Sequence, residues 1–188
     1  GKSIVLNGSF RTDGSSNFGS NKQFNPTWSA GAAWHFGEEK WVKRGIPALS
    51  HATLRAAYGF TGDVNTSTSH LLVMEYLQQQ YRYFGENTYN LGTIPSAPNP
   101  NLGWEKTSDA KVGLDMGFWK DRVNVNAEYY YRLSTDVVTS SQVQSTTGFT
   151  RVYFNSSDIM NSGVEVTLNG KIIQSKDWTL GASVNFAY

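Results

Sequence analysis

The feature that most constrains this chain is an alternation of apolar and polar residues that persists over segments of about ten residues. Between Lys111 and Phe118 every second residue is apolar, and the residues between them are charged or glycine. Side chains of a β-strand point to opposite faces with a period of two, so the pattern predicts strands with one apolar and one polar face. We count about seven such strands and predict an all-β, antiparallel chain.

The predicted connections differ in length at the two ends of the strands. Short links are expected at Gly37 to Ser50, Lys120-Asp121 and Ser175-Lys176, and long polar loops at Thr12 to Gln23, Gly62 to Gly103 and Asp136 to Ser157. Within the longest loop, Leu71 to Phe84 is rich in apolar residues and predicts a short helix or an extra strand pair. One end of the sheet is therefore predicted to have short connections, and the other end to have long loops.

Two Asn-Gly pairs, at Asn7-Gly8 and Asn169-Gly170, are strong hairpin signals in isolation. A two-residue turn at Asn169-Gly170 would place Leu168 opposite Lys171 on one face. An uninterrupted strand keeps Leu168 and Ile172 together on the apolar face. We therefore predict that the strand continues through the pair.

Composition excludes several classes of function. Sixteen Lys and Arg against fifteen Asp and Glu give a net charge of +1, which offers no electrostatic basis for binding nucleic acid. The absence of cysteine excludes thiolate metal sites and cysteine nucleophiles. His35, His51 and His70 share no strand or helix spacing, so no metal site is predicted from them.

Residue size along the apolar face is banded, because the strand centres are aliphatic or small and the aromatic residues lie at the strand ends. Two aromatic girdles flanking an aliphatic belt are typical of a transmembrane β-barrel. The predicted lipid-facing girdle residues are Trp34, Phe36, Phe118 and Trp178 beside the short links, and Phe10, Tyr58, Phe60, Tyr129, Tyr131 and Phe186 beside the long loops. Trp119 adds to the first band, and Trp28, Trp104 and Tyr188 add to the second.

The opposite face carries polar and charged residues, which suit a hydrated barrel lumen and would be costly against lipid. The predicted lumen-facing residues are Arg55, Lys111, Asp115, Asn124, Asn126, Glu128, Arg132, Glu165 and Lys171. The segment from Lys106 to Trp119 would rise about 33 Å at a tilt of about 45°, enough to cross the outer-membrane apolar band of about 25 Å. Because bacterial barrels close with an even number of strands, we expect residues 1–188 to be an arc of a larger barrel.

Several motifs occur in a colinear order that resembles the barrel of SusC/RagA-type TonB-dependent outer-membrane transporters. They include Asn99 to Thr107, Gly113 to Phe118, Glu128 to Tyr131 with Thr135-Asp136, Thr147 to Phe149 and Asn161 to Asn169. Upstream, Asn7 to Ser16, Trp34 to Trp41 and Leu54 to Gly62 continue the resemblance.

This resemblance implies one barrel domain of about 22 strands in the bacterial outer membrane, with long extracellular loops and a plug. It also implies active import of oligosaccharides or oligopeptides, energised by the TonB complex and aided by a SusD-like surface lipoprotein. The plug, the TonB-contact segment and the closing strands are not matched by residues 1–188. No cofactor is implied.

Aromatic side chains in the long loop are the best candidates for contact with cargo or lid, because sugar rings stack on aromatic faces. They are Tyr76, Tyr81, Tyr83, Phe84 and Tyr89. Packing of the loop on itself explains these residues equally well.

The alternative interpretation is a soluble all-β carbohydrate-binding module, or a glycoside hydrolase that uses Asp115 with Glu128. It predicts a second layer of protein over the apolar face. An ion-pair network with Arg132 or Lys111 explains the two carboxylates without catalysis, so we predict that the chain is not an enzyme. A passive porin arc is a third possibility.

Overall fold

The computed structural model describes residues 3–18, 22–66, 68–82, 88–175 and 178–188. Seven long strands and one short strand form a single open sheet, in which the long strands are antiparallel. Two further strands form a separate small sheet. The strands are β1 Ile4–Gly14, β2 Phe24–Trp34, β3 Leu49–Asp63, β4 Glu75–Arg82, β5 Thr88–Thr93, β6 Ser96–Ala97, β7 Glu105–Phe118, β8 Val123–Gln142, β9 Arg151–Gln174 and β10 Thr179–Ala187.

The long strands pair in the order β1-β2-β3-β7-β8-β9-β10, each antiparallel to its neighbour. This meander confirms the predicted antiparallel architecture and the predicted number of long strands. Both Asn-Gly pairs lie inside continuous strands, which confirms the parity argument made for Asn169-Gly170. The short β6 adds to the sheet by parallel pairing with β9.

Helical structure is confined to short pieces in the connections. Between β2 and β3 lie a 3-10 helix, Phe36–Glu38, and α1, Lys40–Gly45; a second 3-10 helix is Ser145–Thr147. A Cβ on Gly37 would lie 2.3 Å from the backbone nitrogen of Ala52, so glycine is needed where this link crosses β3. None of the described helices is long and apolar enough to cross a membrane.

The turn from β7 to β8 is held in an unusual backbone conformation. Trp119, Lys120 and Asp121 all have positive φ angles, of 53°, 57° and 61°. Side chains other than glycine disfavour this region by roughly 1–2 kcal/mol per residue. Hydrogen bonds to the start of β3 hold the turn, from the Trp119 amide to the carbonyl of Ala48 just before the strand and from the Asp121 amide to Ser50 Oγ within it.

The predicted long loop from Asp136 to Ser157 is wrong for most of its length. Strands β8 and β9 continue pairing as far as Gln142 and Arg151, so only residues 143–150 connect them. A bulge at Asp136, with φ 57°, shifts the register there. Apolar residues of the extension are adjacent in sequence, at Val137-Val138 and Val152 to Phe154, so the alternation on which the prediction relied is lost while the backbone ladder continues.

The extra elements of the longest connection form a strand pair, one of the two predicted outcomes. Strands β4 and β5 pair with each other and not with the main sheet. Tyr83 and Phe84, two of the predicted contact residues, lie outside the described residues.

A small hydrophobic core lies among the long loops and not between sheets. Phe18, Leu102 and Trp104 are buried together, with Val64, Val138 and Tyr153 packed against them. The prediction that Trp104 belongs to an exposed girdle is therefore wrong. Its ring packs against Phe18 at a centroid distance of 5.4 Å, and its indole Nε1 donates a hydrogen bond to the Lys22 carbonyl at 2.8 Å.

Candidate functional site

The strand register divides the predicted site residues between two faces of the sheet. Directly paired residues of neighbouring strands share a face, and the row Leu6, Ala32, Ala56, Val112, Tyr129 runs through consecutive pairings. All nine predicted lumen residues lie on the other face. Eight of the ten predicted girdle residues lie on the apolar face, namely Trp34, Phe118, Phe10, Tyr58, Phe60, Tyr129, Tyr131 and Phe186. Phe36 and Trp178 lie outside the strands.

The apolar face is bare at its centre in the described part of the chain, although Ala52, near the short-link end of the same face, is buried. Val112 is 48% exposed, Leu168 44% and Val184 64%, although all three are aliphatic residues within long strands. The five buried hydrophobic residues of this part, Phe18, Val42, Ala52, Leu102 and Trp104, include none of the three. Among the residues that the structure describes, no second layer covers these strand centres. The soluble alternative required such a layer.

One of two ion pairs on the polar face joins strands that the sequence did not suggest as partners. Arg55 of β3 binds Asp115 of β7 through Nε at 2.7 Å, and Asn126 Nδ2 also donates to this carboxylate. Arg132 binds Asp109 through Nη2 at 2.5 Å. The prediction that Asp115 pairs with Lys111 or Arg132 is therefore wrong, because the partner comes from a strand distant in sequence.

Glu128 has a different environment from Asp115. It lies opposite Glu165 in the β8–β9 register, and no ion pair reaches either glutamate within the described residues. Asp115 is already engaged by a cation and an amide, so the two predicted candidates for acid–base catalysis do not form an isolated carboxylate pair. These carboxylates are therefore part of a charged surface on the polar face of the sheet.

Small residues make a depression in the polar face. Gly31, Ala33, Ala57 and Gly113 lie along a cavity of about 300 Å³, whose polar margin includes Arg55, Lys111 and Glu128. A Cβ on Gly113 would lie 3.3 Å from Arg55 Nη2, so the glycine lets the guanidinium cross β7 towards Asp115. The depression therefore depends on the small residues as much as on the charges around it.

Hydrogen bonds from one side chain fasten the long loops. Asn155 Oδ1 accepts from the Gly103 amide, and Asn155 Nδ2 donates to the carbonyls of Gly103 and Asp136, at 2.9, 2.9 and 2.6 Å. Together with the Phe18, Leu102 and Trp104 core, this side chain makes the loop end an ordered surface. This surface could not be predicted from the sequence, because Asn155 lies 52 residues from Gly103 and 19 residues from Asp136.

The loop aromatics are only partly described by the structure. Tyr76 is 70% exposed, and Tyr81 pairs with Tyr89 in the backbone register of β4 and β5. A polar cleft of about 480 Å³ nearby is lined by Glu75, Arg151 and Tyr153 among others. This cleft is not predictable from the sequence, since β6 and β9 bring its two sides together through a parallel pairing.

Metal binding finds no support in the described residues, which contain no group of three potential ligands. His35 is hydrogen bonded to Thr53 Oγ1, His51 to Asp121 Oδ1 and His70 to the Asn17 carbonyl. Each histidine therefore has a separate structural partner.

Comparison with known proteins gives matches along nearly the whole chain. Residues 2–188 match the model of the family described as TonB dependent receptor-like, beta-barrel. TonB-dependent receptor SusC of Bacteroides thetaiotaomicron is 31% identical over 181 residues, which are 95% of this chain and 18% of SusC. TonB-dependent receptor P39 of Formosa agariphila is 28% identical over 184 residues, 98% of this chain and 17% of P39.

Solved structures of outer-membrane receptors and importers also match this chain. The RagAB peptide importer in its closed-closed state superposes with a TM-score of 0.82 at 30% identity, over 100% of this chain and 20% of the matched chain. The siderophore receptor PirA of Pseudomonas aeruginosa superposes over 99% of this chain and 31% of PirA, with a TM-score of 0.61 at 16% identity, which shows a shared fold. The chain thus spans about a fifth of the length of the SusC and RagAB relatives.

Proposed function

We propose, since this chain belongs to the TonB-dependent receptor β-barrel family and to its SusC/RagA group, that it forms an arc of the barrel wall of an active outer-membrane importer. Proteins of this family reside in the outer membrane and are receptors and transporters, not an enzyme class. The observation that carries the proposal is the pair of opposed faces. A bare aliphatic face suits lipid, and the charged face behind it suits a hydrated lumen.

In this function acyl chains solvate the apolar face, and each strand between β1 and β10 in the arc pairs its backbone with a neighbour on both sides. Hydrocarbon offers no hydrogen-bond partner, so the unpaired outer edges of β1 and β10 require further strands on either side. The lumen face supplies fixed charges, held by the Arg55–Asp115 and Arg132–Asp109 pairs, to a passage that the arc only partly encloses.

We propose an oligopeptide or an oligosaccharide as the cargo. RagAB, a peptide importer by its description, supports the peptide. The exposed ring of Tyr76 at the loop end supports a sugar, which stacks on aromatic faces. No catalytic role is proposed for Asp115 and Glu128.

Two partners belong to the proposal. A SusD-like surface lipoprotein covers the loop end, and Tyr76 with the other loop aromatics is the proposed contact region for it or for cargo. The TonB complex supplies energy through a part of the receptor other than this chain.

The test is uptake by cells that express the full-length receptor containing this segment. Fluorescent oligopeptides and oligosaccharides are supplied with and without a protonophore, in strains with and without TonB. The proposal predicts accumulation of one cargo class that is lost in both the TonB-deficient and the protonophore-treated cells. Uptake that persists without TonB would identify a passive porin, and a receptor that is monodisperse without detergent would contradict the membrane arc itself.

The proposed role of the loop has its own control. Tyr76→Ala should weaken uptake or lipoprotein co-purification, whereas Trp41→Ala, an exposed aromatic residue of α1 at the opposite end of the sheet, should not. Equal effects of the two substitutions would contradict a specific role for the loop.

A further inference from the structure

A second polar cavity lies on the apolar side of the sheet, immediately beyond the loop-end girdle. Its volume is about 510 Å³, and two lysines, Lys22 and Lys106, line it together with Phe24, Asn101 and Asp136. Sequence analysis did not single out either lysine. Cations on the face that carries the aliphatic belt need an explanation, because the centre of this face is apolar.

The strand register fixes the level of Lys106. Phe60 pairs with Ser108 and Gly62 pairs with Lys106, so Lys106 is the next position on the same face after the girdle residue Phe60. Two residues along a strand tilted by about 45° correspond to about 5 Å along the membrane normal. The side chain therefore begins where the aromatic girdle ends, at the level of lipid headgroups.

Lys106 is not buried in its own ion pair. Its Nζ lies 2.8 Å from Asp136 Oδ2, and the two side chains are 46% and 47% exposed. Exposed pairs of this kind contribute little to stability. The contact leaves Lys106 accessible to a second anion.

Lys22 is held in place without a carboxylate partner among the described residues. Its carbonyl accepts the Trp104 indole N–H at 2.8 Å, and its Nζ donates to the Asn101 carbonyl at 2.7 Å. The aliphatic stem lies over Gly103, where a Cβ would come within 2.9 Å of Lys22 Cδ. Since an ammonium has three donors, two remain for a ligand.

We propose that Lys22 and Lys106 bind the phosphate of an anionic glycolipid headgroup in the outer leaflet. This inference rests on the proposed function, because it takes the apolar face to be the lipid face. Two cations against one carboxylate leave a net positive site at headgroup level, and basic pockets at that level bind anionic headgroups. The exposed ring of Phe24 lines the same cavity and offers apolar surface beside the ammonium groups.

The experiment measures lipid binding to the purified full-length receptor in detergent, by native mass spectrometry. The probes are lipid A with its phosphates, the same lipid A after enzymatic dephosphorylation, and inorganic phosphate as a competitor. We expect Lys22→Gln and Lys106→Gln each to weaken binding of phosphorylated lipid A about fivefold, and the double variant to weaken it about 25-fold. Lys111→Gln, on the opposite face of the same strand as Lys106, is the matched control and should bind as the wild type does.

Asp136→Asn gives a change in the opposite direction. It removes the carboxylate that competes with phosphate for Lys106, and asparagine tolerates the positive φ of this position. Binding of phosphorylated lipid A should therefore become tighter. If the Lys106–Asp136 ion pair only stabilised the fold, Asp136→Asn would not increase the affinity for phosphorylated lipid A.

Three results would overturn the inference. They are equal binding of phosphorylated and dephosphorylated lipid A, wild-type binding by the double lysine variant, and displacement of lipid A by millimolar inorganic phosphate, which would make the ligand a free anion. Heat-modifiable migration on gels checks that each variant is folded. Loss of phosphate-dependent binding with TonB-dependent uptake intact would reject this site alone, whereas a receptor soluble without detergent would reject the proposed function.

Discussion

An arginine introduced on the apolar face should destabilise the protein far more than an arginine introduced beside it on the polar face. Val166 and Thr167 of β9 are adjacent, both half-buried, and point to opposite sides of the sheet. Val166 lies four residues from Gly170, which pairs with Val123 beside Phe118, and four residues from Ser162, which pairs with Tyr131. Each interval corresponds to about 9 Å along the membrane normal, so Val166 lies near the centre of the belt.

At that depth a lipid-facing arginine costs about 2–4 kcal/mol, which falls to about 0–1 kcal/mol near the interfaces. Val166→Arg should therefore lower the folding equilibrium constant by a factor of roughly 10 to 1000. Thr167→Arg should change this constant by less than about tenfold. Urea unfolding in lipid vesicles, followed by tryptophan fluorescence, measures the difference, and the amount of folded receptor in outer membranes gives an independent value. Val166→Ala separates lost side-chain volume from the charge. Equal losses for the two arginines, or a larger loss at 167, would refute the assignment of faces.

Asn155→Ala removes three hydrogen bonds from the loop end and should cost about 2–3 kcal/mol of local stability. The expected result is faster amide hydrogen exchange at Gly103 with unchanged exchange in β7. Unchanged exchange at Gly103 would contradict this prediction. Gly37→Ala places a Cβ against the backbone of β3 and should lower folded yield strongly, whereas Gly45→Ala, where a Cβ meets nothing within 4 Å, should be neutral or stabilising by up to about 1 kcal/mol in thermal melts. Leu102→Ala opens a cavity in the loop core and should cost about 2–5 kcal/mol there. Protease cleavage of the loops should then accelerate, and cleavage at the short-link end should not.

The sequence predicted the faces of the sheet well because a period of two allows little ambiguity. Once Leu168 and Ile172 must share a face, a turn at Asn169-Gly170 is excluded, and the continuous β9 confirms that inference. The same parity placed Lys111 and Asp115 together on the polar face.

What the sequence did not predict depends on contacts between distant segments. Arg55 reaches Asp115 because β3 pairs with β7 across an insertion of about 40 residues, whereas the sequence suggested partners close along the chain. Trp104 looked like a girdle residue by its position, but it is buried against Leu102 of its own loop and against Phe18 of the distant β1–β2 loop. Alternation also disappears in the extension of β8 and β9, where apolar residues such as Val137 and Val138 are adjacent in sequence, so the strands extend beyond their predicted ends.

The most direct test of the lipid-facing assignment is a nitroxide scan through positions 164–169 of the full-length receptor in lipid bilayers. The chain contains no cysteine, so single cysteines for labelling can be introduced without removing native thiols from this segment. We predict that labels at Val164, Val166 and Leu168 collide mainly with oxygen dissolved in the hydrocarbon, and that labels at Glu165, Thr167 and Asn169 collide mainly with a water-soluble nickel chelate. Similar accessibilities at all six positions, or the inverse alternation, would contradict the placement of the apolar face against lipid.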